Sequence, residues 1–170
     1  MTSSQFATDG TIGVDLDELI AGTGTSSDEG NQHSLGQTAQ CSDGCVYMYV
    51  HASAAIALYK AVAVDENFEA APLTTALAQA GHMVGWAQIA FSDNDFGWVV
   101  VKGANFKGQI GAACAPDTQL YTSGTAGVLD DDSSTVYEPI IGPVILATAT
   151  GTITDGDEIL CHTFAGSNAP

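Results

Sequence analysis

Arginine is absent from this chain, and lysine occurs three times, at Lys60, Lys102 and Lys107. Against them stand 20 acidic residues, for a formal net charge of −17. A chain so charged repels phosphate backbones, and nucleic-acid binding normally needs clustered Lys and Arg, so DNA and RNA are excluded as direct partners. Anionic membrane surfaces are disfavoured for the same reason. No stretch approaches the roughly 18 apolar residues of a membrane span. "MTSSQFATDGTIGVD" has neither a basic start nor an apolar core, so no secretory signal is expected and synthesis in a cytosol is. Charged residues make up 14% of the chain, and the polar remainder is rich in Thr, Ser, Asn, Gln and 19 Gly. That mixture suits sheets joined by turns better than helices. The acidity provides solubility, in salty surroundings or on a coat that must not stick to itself.

Cysteine is also scarce: Cys41, Cys45, Cys114 and Cys161. "CSDGC" would let Cys41 and Cys45 bridge a hairpin. Zinc would need a second pair, and Cys161-His162 is a poor one, because neighbours on a strand point to opposite faces. Buried thiols are the favoured reading, with Cys114 in "IGAACAP" part of a core.

Residues 1–45 are Thr-, Ser- and Gly-rich and carry few apolar residues, so they are expected to form an extended N-terminal arm. Its anchors would be Ile12, Val14, Leu16, Leu19 and Ile20, with one helical turn in "GVDLDELI". Residues 46–170 are expected to form a compact β-sandwich or β-barrel, giving an all-β fold. Strand candidates include "VYMYVHA", "IALYKAVAVD", "HMVGWAQIAF", "GWVVVKG", "FKGQIGAACA", "QLYTSGTAG", "VYEPIIGPVILATATG" and "DEILCHTF". In the third, Val84, Trp86 and Gln88 alternate against Met83, Ala87 and Ile89. "AAPLTTALAQAG" reads as a short helix, with Pro72 in its first turn and Gly81 as its stop, or as an ordered loop. Pro139 and Pro143 predict an edge strand or bulge.

The chemistry-bearing residue types offer little. Asp93-Asn94-Asp95 between two apolar runs reads as a turn, since Asp and Asn bond their own backbone and tolerate positive φ. An EF-hand would need a different spacing and a Glu at its twelfth position. Asp130-Asp131-Asp132 and Asp155-Gly156-Asp157-Glu158 also read as solvated turns, with loose calcium or magnesium uptake the minority alternative. Trp86 and Trp98 read as core rather than as sugar platforms. His33, His51, His82 and His162 lack metal-ligand spacing, and nucleophile-elbow, dinucleotide and phosphate-loop motifs are missing. Paired carboxylates for glycoside hydrolysis come with no substrate-gripping pattern. Neither catalysis nor a cofactor is expected.

One ordered series of segments does stand out. It comprises Tyr47–Val50 with Ala52–Ile56, Val62–Glu66, Ala70–Thr75, Val84–Phe91, Asp93–Gly103 and "LYTSGTAGVLDDDSS" from Leu120 to Ser134. Across residues 43–150 this series resembles tailed-bacteriophage head decoration or capsid-associated virion proteins. Cys45 and the shortage of basic residues depart from that pattern, and residues 1–40 match it weakly. The resemblance implies a non-enzymatic cement protein on the capsid exterior, made in the host cytoplasm. Its implied partner is the phage major capsid protein, and its implied state a homo-oligomer, foremost a trimer. A head-fibre base or tail component is a related reading. The alternative of a different class is a secreted or surface carbohydrate- or calcium-binding β-module.

Overall fold

The computed structural model describes residues 14–22, 33–42, 44–145, 148 and 157–161, the last five and residues 105 and 144 as backbone only. Eleven strands and one short helix fall within them. They are β1 (Thr38–Gln40), β2 (Val46–Ala52), β3 (Ala61–Val64), β4 (Glu69–Pro72), α1 (Thr75–Gln79), β5 (Met83–Ala87) and β6 (Phe96–Gly108), followed by β7 (Leu120–Thr122), β8 (Leu129–Asp130), β9 (Pro139–Ile140), β10 (Pro143–Ile145) and β11 (Asp157–Cys161). The all-β expectation holds, and of its two forms the structure takes the barrel.

Five strands close on themselves in the order β2-β4-β3-β5-β6, with β6 returning to β2. The β2–β4 contact is parallel and the other four are antiparallel. Strand alternation gives the barrel wall two apolar faces. Met48, Val50, Val62, Val64, Ala87 and Val99 form one cluster, built of slender side chains. Tyr47, Tyr49, Ala61, Ala63, Trp86, Phe96, Trp98 and Val100 form the other, which continues into Leu120, Leu129 and Ile140 of a three-stranded sheet, β8-β7-β9. Two-sided burial explains why these strands read as nearly continuous apolar runs. Strands β1, β10 and β11 extend the barrel sheet.

Several local expectations hold with a physical cause. Thr74 caps α1, its Oγ1 accepting the Leu77 N–H at 3.3 Å. The expectation for Pro72 does not hold: it ends β4, two residues before the Thr74 cap, and is not in the helix's first turn. Gly81 follows the helix at φ 77, as a stop requires. Pro139 and Pro143 lie on β9 and β10, which are sheet edges where a missing N–H costs no ladder bond.

Other expectations need correcting. "GWVVVKG" and "FKG" are one strand of 13 residues, not two. Its first half pairs with β2 and β5, its second with β11, so Gly103 lies mid-strand. The sheet also reaches back across the boundary expected at residues 45/46. Thr38–Gln40 pairs antiparallel with Val46–Met48, and Ala39, Cys41 and Cys45 are buried in the larger cluster. The sheet therefore starts inside the segment read as an arm.

Candidate functional site

The anchors expected to grip a partner lie mostly against the chain's own barrel. Val14 and Leu16 are 6% and 4% exposed and belong to the larger cluster. Ile20 pairs with Phe96 through two reciprocal backbone bonds, at 2.9 and 2.8 Å. Leu19 is 36% exposed, and Ile12 lies outside the described residues. Asp15 to Glu18 form a turn rather than a helix, with the Asp17 N–H on Asp15 Oδ1 at 3.0 Å. Buried apolar side chains would cost free energy to re-expose, so Val14 and Leu16 are not available to a second protein.

The seat of this segment is the polar knot "SDND". Ser92 N–H donates to Asp95 Oδ2 at 2.6 Å, and Asn94 takes φ 68, so the knot is the turn its residue types predict. It is tied to the end of β2 by Asn94 N–H to Ala52 O and Ala52 N–H to Asp95 O, both 2.8 Å. Gly22 packs directly on the Asn94 carbonyl, so closely that a Cβ at position 22 would overlap it. The apolar residues of "GVDLDELIAG" read as anchors, but nothing in their spacing announces that they return onto the chain's own barrel.

Beneath the segment lies an aromatic group. Tyr49 meets Trp98 edge-on at 5.1 Å and His33 at 5.2 Å, and His51 stacks on Phe96 at 4.6 Å. The Tyr49 hydroxyl is buried without a hydrogen-bond partner. Burial, and secondarily the charge of Glu18, push its pKa up to about 12. Trp86 and Trp98 are each 1% exposed and thus closed to a sugar ring, as the sequence indicated.

Among the described residues Cys114, Asp130 and Asp131 bring three potential metal-ligating side chains together. One donor atom from each lies within 4.8 Å of the others. Cys114 is wholly buried; the two carboxylates are half-buried. Its thiol is pushed up to about 12, first by burial and further by the two neighbouring charges. A thiol so protonated is a poor nucleophile. Cys114 does lie in the core as read, but its meeting with Asp130 and Asp131 was not legible. It depends on a tertiary contact, the parallel bridge of Ile110 with Leu129. Cys41 and Cys45 are buried thiols at a tight turn, with Cys41 N–H on Cys45 O at 2.8 Å. Cys161 is described as backbone alone; His162, Asp155 and Gly156 lie outside the described residues.

Lys60 Nζ donates to Ala126 O at 2.7 Å, and burial lowers its pKa. Among the described residues no helix is long and apolar enough to cross a membrane. Among the described residues the most exposed large apolar side chains are Val136, at 65%, and Ile141, at 77%, on either side of β9. No family model, no curated protein and no solved structure matches this chain.

Proposed function

We propose that the chain is a non-enzymatic capsid decoration protein, binding the outside of an assembled tailed-phage head and stabilising it. The observation that carries this reading is the ordered series of segments from residue 43 to 150 that resembles such proteins. The barrel is compatible with it: most of that series builds β2 to β8, a body most of whose aromatic residues are spent on its own core. A protein that binds only the expanded lattice stabilises it by linkage, since it favours the bound state. The partner would be the major capsid protein, and the decorating unit a homotrimer.

Because Val14 and Leu16 are consumed internally, contact with the coat falls to other residues. Val136 and Ile141 offer apolar area beside an edge strand, with Asp130, Asp131, Asp132 and Glu138 in neighbouring positions of the chain. A coat surface carrying basic residues would complement them.

Co-sedimentation of the full chain with expanded and unexpanded heads tests the proposal, with light scattering on the free protein. Binding to expanded heads alone, and a mass three times the 17.4 kDa monomer, are expected. Absence from purified virions of the phage that encodes it would sink the reading. The calcium- or carbohydrate-binding module would be favoured instead by a calcium-dependent mass or melting temperature.

A further inference from the structure

Cys114 reaches the Asp130–Asp131 pair from a separate segment of chain. The bridge of Ile110 with Leu129, and the Gly111 N–H bond to the Leu129 carbonyl at 2.7 Å, hold the two segments side by side. We propose that Cys114 Sγ, Asp130 and Asp131 form a three-donor site for a divalent cation of zinc's class. This inference does not rest on the capsid reading and would stand if that reading failed.

Three observations separate the site from a patch of surface acids. The first is the sulfur. A fully buried side chain points its polarisable donor at two carboxylates, whereas a solvated acidic turn supplies oxygen alone. The second is spacing. Tetrahedral zinc, with Zn–S about 2.3 Å and Zn–O about 2.0 Å, sets its sulfur and oxygen ligands about 3.5 Å apart. Cys114 Sγ donates a hydrogen bond to Asp130 Oδ1 at 3.5 Å, so for this pair a cation could take the proton's place without moving either atom, and the three donors all lie within 4.8 Å of one another. The third is room. A Cβ on Gly111 would overlap the Asp130 carboxylate, so the glycine leaves the space that this carboxylate occupies beside the thiol.

Backbone donors orient both acids without using all their lone pairs. Asp131 Oδ2 accepts the Ala115 N–H at 3.0 Å, and Asp130 Oδ1 accepts the Asp132 N–H at 3.3 Å. Such outer bonds fix ligand direction in metal sites. The donor set also decides the metal. Calcium and magnesium take all-oxygen shells, while a thiolate among carboxylates suits zinc, or cadmium and cobalt in its place. Binding would replace the thiol proton, which leaves to solvent. The cation would then cross-link the turn after Ile110 to the end of β8.

The test is a titration of the full-length, reduced, metal-free protein with Co²⁺ and then Zn²⁺. One equivalent of Co²⁺ should produce a thiolate-to-cobalt charge-transfer band in the near ultraviolet, and Zn²⁺ should abolish it. Millimolar Mg²⁺ or Ca²⁺ should leave it unchanged. Cys114→Ser should remove the band while Cys41→Ser keeps it. Cys114 is a core residue, so far-ultraviolet circular dichroism must show that its variant folds. Asp131→Asn, at a half-exposed position, keeps the test decisive if it does not, and should weaken Co²⁺ binding by about 10-fold or more. No band in the unaltered protein, a band surviving Cys114→Ser in folded protein, or Asp131→Asn binding as tightly as the parent would each overturn the proposal.

Discussion

Replacing Leu16 by Ala separates a seated N-terminal segment from a free one. Leu16 is 4% exposed within the larger cluster, so the change removes three buried carbons and leaves a void beside the barrel wall. Leu→Ala changes at such sites cost about 2–5 kcal/mol, the spread reflecting how far the site collapses. Leu16 lies on a segment joined to the barrel edge-on, where relaxation is easier than at the centre, so about 2–3 kcal/mol is expected. Leu19, at 36% exposed, should lose about 1 kcal/mol on the same change, and Ile141, at 77%, under about 0.5 kcal/mol. Urea unfolding of the three variants would show it as a graded fall in midpoint at constant slope. Hydrogen exchange gives a second readout. The Ile20 and Phe96 amides bond each other's carbonyls, so Leu16→Ala should speed exchange at both. Equal midpoints for Leu16→Ala and Ile141→Ala, with Ile20 exchange unaltered, would refute the seating.

Other expectations are open to direct measurement. Gly22→Ala should weaken docking onto the "SDND" turn, because its Cβ overlaps the Asn94 carbonyl; faster exchange at Ile20 with barrel amides unchanged would show it. Tyr49→Phe should be neutral or stabilising by up to about 2 kcal/mol, since it deletes a buried hydroxyl that has no partner. The same residue sets an alkaline limit. With its pKa raised from 10.0 to about 12, the folded state keeps a proton that the unfolded state sheds, so stability is intact below pH 10 and falls as pH rises toward 12. The full loss is about 2–3 kcal/mol, and urea midpoints that fall between pH 10 and 12 in the parent but less in Tyr49→Phe would confirm the source. Ile141→Ser should leave stability within about 0.5 kcal/mol and reduce co-sedimentation with expanded heads, which undiminished binding would contradict.

What the residues revealed beforehand was whatever depends on neighbours in sequence. The parity of Val84 and Trp86 against Ala87 and Ile89 matches the two clusters, because alternation along a strand is local geometry. The "SDND" turn and the Pro-marked edges were legible for the same reason. Contacts between distant segments were not. Gly103 looked like a strand end, yet β6 runs through it because β11 takes over as partner where β2 and β5 leave off. Val14, Leu16, Leu19 and Ile20 were legible as anchors, but for a partner; that their seat is this chain's own barrel was not. They fold back because the barrel's outward face carries Phe96, Tyr49 and Trp98 and needs a cover. The Cys114 group joins residues 16 and 17 positions apart, which no motif spacing encodes.

The charge of the chain narrows how it can associate. At −17, two copies repel at any distance shorter than a Debye length, about 10 Å at 0.1 M salt. Contacts between copies must therefore use apolar side chains or paired strand edges, which gain free energy without charge complementarity. Contact with a basic coat would instead draw on that same acidity, both in steering and in register. The two kinds of interface consequently need different surfaces. Seating Val14 and Leu16 internally shrinks the apolar supply to exposed residues such as Val136 and Ile141 and to the short β9 and β10 edges.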